Sequence, residues 1–268
     1  MTNIISPNIN PDINPEISPN DRCFLYGDGF FSTVRVTAGV PELWPLHLAR
    51  LQHTAAQLAI DIADWNVISE AVVNAIAAAH VDKAVLKIQV SRGSGQRGYS
   101  PAGIAPASVY ISLGNLPDYS RWQQQGVTLA LAELQLAVQP VLAGLKHCNR
   151  LEQVLLKRQA NGRGVDDLLV CDQQGYVTEA IAANLFLHRA GRWYTPELSR
   201  AGVAGVMRSH LLSRHPDIEQ VNWLLSELNN VDAMVLSNAL MGVVPVQSYN
   251  NQPLDLALAK TWCNKLLC

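Results

Sequence analysis

Lysine is scarce in this chain of 268 residues, and the five cysteines are scattered without a CxxC pair or a Cys/His zinc spacing. We therefore expect free thiols, no structural metal site and a reducing, cytoplasmic setting. No run of about 18 apolar residues and no charged-then-apolar leader is present, which predicts a soluble protein that does not enter membranes. A formal net charge of −2 argues against nucleic acid or anionic lipid as the partner. The absence of a Walker A motif removes the P-loop class.

The apolar residues make up 49% of the chain, which is ample material for a buried core. Residues 1–20 repeat an Ile-Asn/Ser-Pro unit, and proline at this density excludes a regular helix, so this segment is interpreted as an extended arm or a sheet edge. A polar stretch after residue 115 interrupts the strand pattern. It predicts a join between a small domain, residues 21–115, and a larger domain, residues 122–268.

The periodicity of the apolar residues predicts a mixture of helices and strands. Strands and helices do not alternate strictly, which favours an α+β fold over a doubly wound sheet. The main predictions are a hairpin turning at Ala38-Gly39, helices over about 46–58 and 65–80, strands at 127–136, 167–172 and 175–188, a helix after Lys146, and a helix beginning near Gly205.

Lys146, in "GLKHCNRLEQVL", stands at a loop-to-helix junction between apolar and small residues. The other lysines lie in polar contexts or, like Lys87, alternate with apolar residues in a predicted strand. One interpretation of Lys146 is a solvent-facing residue at a helix start. The other is a desolvated amine that acts as a nucleophile, since burial makes an amine easier to deprotonate.

Glu179 interrupts an otherwise apolar or small stretch, "GYVTEAIAANLFLH". A buried carboxylate is costly unless something pairs with it, and the alternative is a strand-edge glutamate that faces water. Ala180, Ala182 and Ala183 suggest space beside it for a flat molecule. A lysine and an acid beside small residues are what a pyridoxal 5'-phosphate site needs, because the acid keeps the pyridine nitrogen protonated.

A phosphate group would need its own ligands in the same chain. "AGVAGVMRSHLL" offers a glycine followed by a helix, so the amides of Val206 and Met207 are candidates at a helix N-terminus. Arg50 is a candidate clamp, because guanidinium pairs well with phosphate oxygens. Asn238, in "SNAL", is a further candidate. Each signal is weak alone, since Arg50 also fits a surface helix and Gly205 a plain helix start.

In this order, Arg50, "GLKHCNRLEQVL", "VTEAIAANLF", "GVAGVMR" and "SNALMGVVPV" resemble the class IV (fold-type IV) pyridoxal phosphate enzymes. The resemblance implies a small α/β domain and a larger domain with a barrel-like sheet, with the cofactor between them, in a homodimer. It implies that Lys146 carries pyridoxal 5'-phosphate through a Schiff base and that Glu179 pairs with the pyridine nitrogen. Arg50, Val206, Met207 and Asn238 would hold the phosphate.

"YGDGFFSTVRV", "SRGSGQRGYS" and "KHCNRLEQVL" resemble, more specifically, the aminodeoxychorismate lyases within this family. That resemblance implies elimination of pyruvate from 4-amino-4-deoxychorismate to give 4-aminobenzoate in folate biosynthesis. The loop with Arg92 and Arg97 is either a surface turn or a site for the dianionic substrate, because guanidinium clamps carboxylates with directional bonds. The resemblance implies that Arg97, with Tyr99 beside it, binds a substrate carboxylate.

Two alternatives share the same scaffold: a D-amino acid or branched-chain aminotransferase, and a catalytically silent binding protein. Phe31 stands where D-amino acid aminotransferases carry a tyrosine, which weakens the aminotransferase interpretation. The Asn/Pro-rich arm also replaces the family's opening strand with its Asn-Gly turn. The full set of Lys146, Glu179 and Arg50 argues against the silent protein.

Overall fold

The structure, a computed structural model, describes residues 3–5, 17–104 and 106–267. It divides into two compact units, of which the first comprises Met1–Pro117 with Lys146–Asn149 and the second comprises Asp118–Leu145 with Arg150–Cys268. Most of the expected N-terminal arm, residues 6–16, lies outside the described residues. No helix in the described ranges is long and apolar enough to span a bilayer.

A five-stranded sheet organises the first unit. Its elements are β1 (Asn3–Ile5), α1 (Arg22–Tyr26), β2 (Gly29–Thr37), β3 (Val40–Pro41), α2 (Trp44–Gln57), α3 (Trp65–Ala79), β4 (Lys83–Ser91) and β5 (Ser108–Gly114). The strand order is β1-β5-β4-β2-β3. All neighbours are antiparallel except β1, which joins β5 in parallel at one edge.

The helices α2 and α3 bury the apolar positions of this sheet, as the alternation along β2 and β4 predicts. Val34 of β2, Leu51 of α2 and Ile68 of α3 belong to one core and are each at most 1% exposed. The hairpin predicted at Ala38-Gly39 is confirmed, and both residues have the positive φ that a tight two-residue hairpin turn requires.

A mixed nine-stranded sheet organises the second unit. Its elements are α4 (Ser120–Gln125), β6 (Val127–Leu131), α5 (Leu151–Arg163), β7 (Asp167–Cys171), β8 (Val177–Ala180), β9 (Asn184–Arg189), β10 (Arg192–Pro196), α6 (Val206–Arg214), β11 (Glu219–Val221), β12 (Ala233–Asn238), β13 (Gly242–Tyr249), β14 (Gln252–Pro253) and α7 (Leu256–Leu267), with a 3-10 helix at Leu225–Asn230. The strand order is β11-β10-β9-β12-β13-β6-β7-β8, and β14 pairs with β13.

This larger sheet curls, because its end strand β8 also packs against β9 and β10 near the opposite end. The strand β6 runs parallel to β7 and β13, whereas β9, β12 and β13 pair antiparallel. Parallel and antiparallel pairing in one sheet, with helices that do not alternate regularly, confirms the predicted α+β class.

Two strand predictions in this unit are wrong in extent. The segment 175–188 forms two strands, β8 and β9, because the chain turns where the Ala180 amide donates to the Ala183 carbonyl at 2.8 Å. The strand predicted at 127–136 ends at Leu131. Short apolar runs fit a strand, a turn and a helix equally well, so periodicity alone does not locate these ends.

Candidate active site

Lys146 lies in an extended tetrapeptide, Lys146–Asn149, that runs antiparallel beside the start of β2 in the first unit. The Lys146 carbonyl accepts a hydrogen bond from the Phe31 amide at 3.0 Å, and the Cys148 amide donates to the Gly29 carbonyl at 2.9 Å. The half-buried ammonium lies 4.7 Å from the centre of the Phe31 ring. Since α5 begins only at Leu151, Lys146 is fixed by strand-like pairing and is not a solvent-facing helix-start residue.

Arg50 belongs to a hydrogen-bonded group in the same unit that also contains Ser32 and His47. The Nη2 atom of Arg50 donates to Ser32 Oγ at 2.7 Å, and Ser32 Oγ lies 2.7 Å from His47 Nδ1. Burial, helped by the positive charges of Arg50 and Lys146, lowers the pKa of His47 to about 3. The imidazole is therefore neutral at physiological pH, and it orients the hydroxyl that holds Arg50.

The guanidinium of Arg50 carries a charge that no acid in the described part of the chain neutralises. Burial lowers its pKa to about 10, which still leaves it protonated at neutral pH. Its Nε atom has no hydrogen-bond partner, and no carboxylate pairs with it in the described ranges. A desolvated cation with free donors is a good receptor for an anion such as a phosphate group.

Glu179 lies on β8 in the second unit and is 5% exposed. Its Oε2 atom accepts a hydrogen bond from the Val203 amide at 2.8 Å. A Cβ atom at Gly202 would lie 3.1 Å from Oε2 and 2.7 Å from Thr178 Cγ2, so only a glycine allows this close approach. Glu179 is therefore not a strand-edge residue facing water, and the loop at 202–203 fixes its carboxylate.

The sequence suggested that three alanines near Glu179 leave open space beside it, and the structure does not bear this out for all of them. Ala180 and Ala183 are buried in the core of the second unit, whereas Ala182 is exposed at the turn between β8 and β9.

Val206 and Met207 open α6, as the sequence predicts, with Gly205 at the N-cap and no side-chain cap. The first amides of a helix have no acceptor within it, so they can receive an anion. Asn184 fixes the loop that leads into α6. Its Oδ1 atom accepts a hydrogen bond from the Gly205 amide at 3.0 Å, and its Nδ2 atom donates one to the Val203 carbonyl at 2.8 Å. A polar residue at the start of β9 gave no signal of this role in the sequence.

Asn238 ends β12, and its side chain organises the following turn. The Oδ1 atom accepts from the amides of Leu240 and Met241 at 2.9 and 2.8 Å, and Nδ2 donates to the Ala182 carbonyl at 3.1 Å. Its predicted role as a phosphate ligand stays a prediction, with one Nδ2 hydrogen left for it.

Arg97 and Tyr99 lie in the glycine-rich loop after β4, and both side chains are exposed, Tyr99 to 85%. The loop backbone is anchored by the buried Arg22, which donates to the carbonyls of Gly98, Tyr99 and Ser100. Tyr26 supports it further, since its hydroxyl accepts from the Gly98 amide and its ring packs 5.4 Å from the Tyr99 ring.

Asp28 holds Arg22 in place and also binds Arg92, each at 2.8 Å. Burial opposes its ionisation, but the hydrogen bonds from Arg92 and Arg22 lower the pKa of Asp28 below its ordinary value. Arg92 also donates to the carbonyls of Leu58 and Ala59, so it is a structural residue and not a substrate clamp.

The glycine spacing G-x-G-x-x-G in this loop precedes no helix and is not a dinucleotide site.

No group of three or more metal-binding side chains occurs in the part of the chain that the structure describes. Within the first unit, Lys146 and Arg50 both lower the pKa of His47, so their charges lie near one imidazole. Within the second unit, Glu179 and the start of α6 meet at the loop 202–205. Sequence reasoning missed Ser32 and His47, although each places a polar group on an apolar face.

The amino-transferase class IV family model matches residues 29–249. The chain is 38% identical to the aminodeoxychorismate lyase of Vibrio harveyi over 84% of each protein. It is 37% identical to the solved structure of 4-amino-4-deoxychorismate lyase from Pseudomonas aeruginosa, with a TM-score of 0.85 and 95% of each chain covered. It is 26% identical to the D-alanine aminotransferase of Bacillus licheniformis over 87% of this chain and 82% of that one. The chain therefore belongs to the amino-transferase class IV family.

Proposed function

We propose that this chain is a lyase that converts 4-amino-4-deoxychorismate to 4-aminobenzoate and pyruvate, in folate biosynthesis, with pyridoxal 5'-phosphate as cofactor. One observation carries the choice of reaction: the chain is more similar to two aminodeoxychorismate lyases, at 38 and 37% identity, than to the D-alanine aminotransferase, at 26%. Members of this family in general use pyridoxal 5'-phosphate, and residues in each of the two units fit it.

The fit rests on the Arg50 guanidinium, the first amides of α6 and the fixed acid described above, together with the amine of Lys146. In the first unit, Lys146 offers a half-buried amine. Arg50 offers a guanidinium whose Nε atom has no hydrogen-bond partner and which pairs with no acid among the residues that the structure describes. In the second unit, Glu179 offers an oriented carboxylate, and α6 offers the free amides of its first turn. The proposed cofactor ligands are Lys146, Glu179, Arg50, Val206, Met207 and Asn238.

Pyridoxal phosphate, when bound, supplies an electron sink for the carbon that bears the substrate's amino group. The Lys146 amine holds the cofactor, and in its free form removes the proton from C4 of the substrate. It then returns a proton to the enolpyruvyl group, which leaves C3 as pyruvate, and the ring becomes aromatic. Glu179 keeps the proton on the pyridine nitrogen, and its hydrogen bond from Val203 keeps the carboxylate aimed.

The substrate carries two carboxylates, and Arg97 with Tyr99 is the proposed site for one of them. Arg97 is exposed and pairs with no acid in the described ranges, so its guanidinium is available to an incoming anion. Arg22 anchors the loop backbone through the carbonyls of Gly98 and Tyr99, and the side chains of Arg97 and Tyr99 are exposed.

We also propose a homodimer in the cytoplasm. The exposed face of α5 carries Leu151, Val154 and Leu155, which are 70, 62 and 42% exposed and share one side of the helix. A contiguous apolar stripe on a surface helix is typical of a protein interface. The four described cysteines are free, as in proteins of a reducing compartment.

The decisive test compares the two chemistries on one preparation. The enzyme is incubated with chorismate, glutamine and an aminodeoxychorismate synthase, and separately with D-alanine or leucine plus 2-oxoglutarate. We expect equal amounts of 4-aminobenzoate and pyruvate, with no keto-acid acceptor required. Faster amino transfer to 2-oxoglutarate than release of 4-aminobenzoate would replace this proposal with the aminotransferase.

A further inference from the structure

Two of the four described cysteines, Cys23 and Cys148, lie side by side although they are far apart in sequence. Cys23 is in α1, and Cys148 is in the tetrapeptide that carries Lys146. Both approach Gly29: its carbonyl accepts from the Cys148 amide at 2.9 Å, and a Cβ atom on it would lie 2.9 Å from Cys23 Sγ. The two thiols are hydrogen-bonded to each other, and both are half-buried.

The surroundings of Cys23 favour its thiolate. The hydrogen bond from Cys148 lowers the pKa of Cys23 below its ordinary value, against the opposing effects of burial and of Asp21. Two further groups lower the pKa of Cys23. Gln89 donates a hydrogen bond from Nε2 to Cys23 Sγ at 3.4 Å, and the positive charge of Lys87 stabilises the thiolate.

The two other described cysteines differ in every one of these respects. Burial raises the pKa of Cys171 to about 11 and that of Cys263 to about 12. Both side chains are buried in the cores of the second unit. They are therefore inert thiols, and they serve as internal controls for reactivity.

We propose that Cys23 and Cys148 are a reversible dithiol site that a low-molecular-weight disulfide oxidises to an intramolecular disulfide. The Cys23 thiolate attacks one sulfur of the small disulfide, breaks its S–S bond and releases one small thiolate. The Cys148 thiol then loses its proton and attacks the Cys23 sulfur, which releases the second small thiol. Two protein thiols are oxidised, and one small disulfide is reduced to two thiols.

The new bond acts on Lys146 through the backbone. A covalent S–S bond is shorter than a contact between thiols, so its formation draws the Cys148 backbone towards α1. Lys146 is two residues from Cys148, and its carbonyl accepts a hydrogen bond from the Phe31 amide on the same stretch of β2. Displacement of the amine slows turnover. This effect on turnover rests on the proposed function, whereas formation of the disulfide does not.

The test uses the cofactor-loaded protein with Cys268→Ser, which removes the one cysteine outside the described residues. The protein is treated with glutathione disulfide, digested without reduction and analysed by mass spectrometry, and its remaining thiols are counted. We expect a linked pair of peptides containing Cys23 and Cys148, with Cys171 and Cys263 still free. We expect the rate of 4-aminobenzoate formation to fall at least about tenfold, because small misplacements of a catalytic group are costly, and dithiothreitol to restore it.

Cys23→Ser and Cys148→Ser are the matched variants, and each keeps the second thiol of the pair. Neither variant should give a linked peptide. Cys148→Ser should carry one glutathione on Cys23, because no second thiol can displace it, whereas Cys23→Ser should carry none and retain its activity in glutathione disulfide. Absence of the Cys23–Cys148 peptide from the oxidised parent protein would overturn the proposed site. A linked peptide without loss of rate would overturn its effect on Lys146. A protein that is inactive before oxidation would count against the lyase proposal, and the peptide map would still decide the dithiol site.

Discussion

Lys146 is held through its backbone, so its side chain can be removed without loss of the pairing that positions it. We expect Lys146→Ala to bind no borohydride-reducible cofactor and to lose turnover by on the order of 10²–10⁴-fold, the usual worth of a general base. The measurements are the protein mass after borohydride reduction with pyridoxal phosphate and the rate of 4-aminobenzoate release.

Lys87→Ala is the matched control, because Lys87 is exposed on β4 and its ammonium lies 5.1 Å from the same Phe31 ring. It should keep both the reducible cofactor and the rate. A reducible cofactor on Lys146→Ala would show that another lysine carries it.

His47 gives the first unit a specific dependence on pH. Its pKa is about 3 in the folded chain, against an ordinary value of 6.5. As the pH falls below 6.5, the unfolded chain binds a proton that the folded chain cannot, so the free energy of unfolding falls between pH 6.5 and 3. From about pH 7 to about pH 5, we expect this residue to account for a loss of about 2 kcal/mol at most.

Urea denaturation of the cofactor-free protein at these two pH values tests the prediction. His47→Gln should lose less stability on acidification than the parent, whereas His53→Gln, exposed on the same helix α2, should follow the parent. Identical losses in all three proteins would mean that His47 is not the group that resists protonation.

At the scale of elements, the loop after β4 separates anchoring from recognition. Arg22 holds three of its carbonyls, whereas Arg97 projects from it. We expect Arg97→Ala to lower kcat/KM for the substrate by about 10- to 100-fold, the cost of a charged hydrogen bond, with cofactor affinity and melting temperature unchanged. Steady-state kinetics, cofactor titration and thermal unfolding measure the three quantities.

Gln96→Ala, an exposed neighbour in the same loop, should leave all three quantities unchanged. Arg22→Lys should lower the melting temperature as well as kcat/KM, because a lysine cannot replace a buried fork of donors. If Arg97→Ala weakened cofactor binding and spared substrate use, Arg97 would belong to the phosphate site.

Local patterns predicted the elements that depend on neighbouring residues. The turn at Ala38-Gly39 and the start of α6 after Gly205 were recognisable because turn and cap chemistry is local. The pairing of Lys146–Asn149 with β2 was not, because no periodicity within one segment reports a partner more than a hundred residues away.

The candidate site divides in the same way. Lys146 and Glu179 stand out in the sequence because each places a charge in an apolar stretch. Ser32, His47 and Asn184 stand out much less, because an uncharged polar residue on an apolar face is a weaker signal than a charge. Their roles depend on hydrogen bonds to Arg50 and to the loop before α6, which only the folded chain brings together.

At the scale of the whole molecule, the proposed chemistry needs both units. The first carries the amine of Lys146 and the free guanidinium of Arg50, and the second carries the acid of Glu179 and the helix amides. Each unit buries its own hydrophobic core, so substitutions at these polar positions should change catalysis more than folding.

The proposed homodimer is testable through the apolar face of α5. Leu151, Val154 and Leu155 lie opposite Leu156 and Ala160, which bury the other side of the helix in the core. We expect Val154→Asp to convert a dimer to a monomer, because it places a charge in an apolar interface without touching that core. Light scattering during gel filtration gives the mass, and circular dichroism confirms the fold.

Val73→Asp is the matched control, since Val73 is 56% exposed on α3 and its substitution introduces the same change of charge. It should leave the mass unchanged. A Val154→Asp variant that elutes at the parent's dimeric mass, or a parent that is already monomeric at micromolar concentration, would remove α5 as the interface.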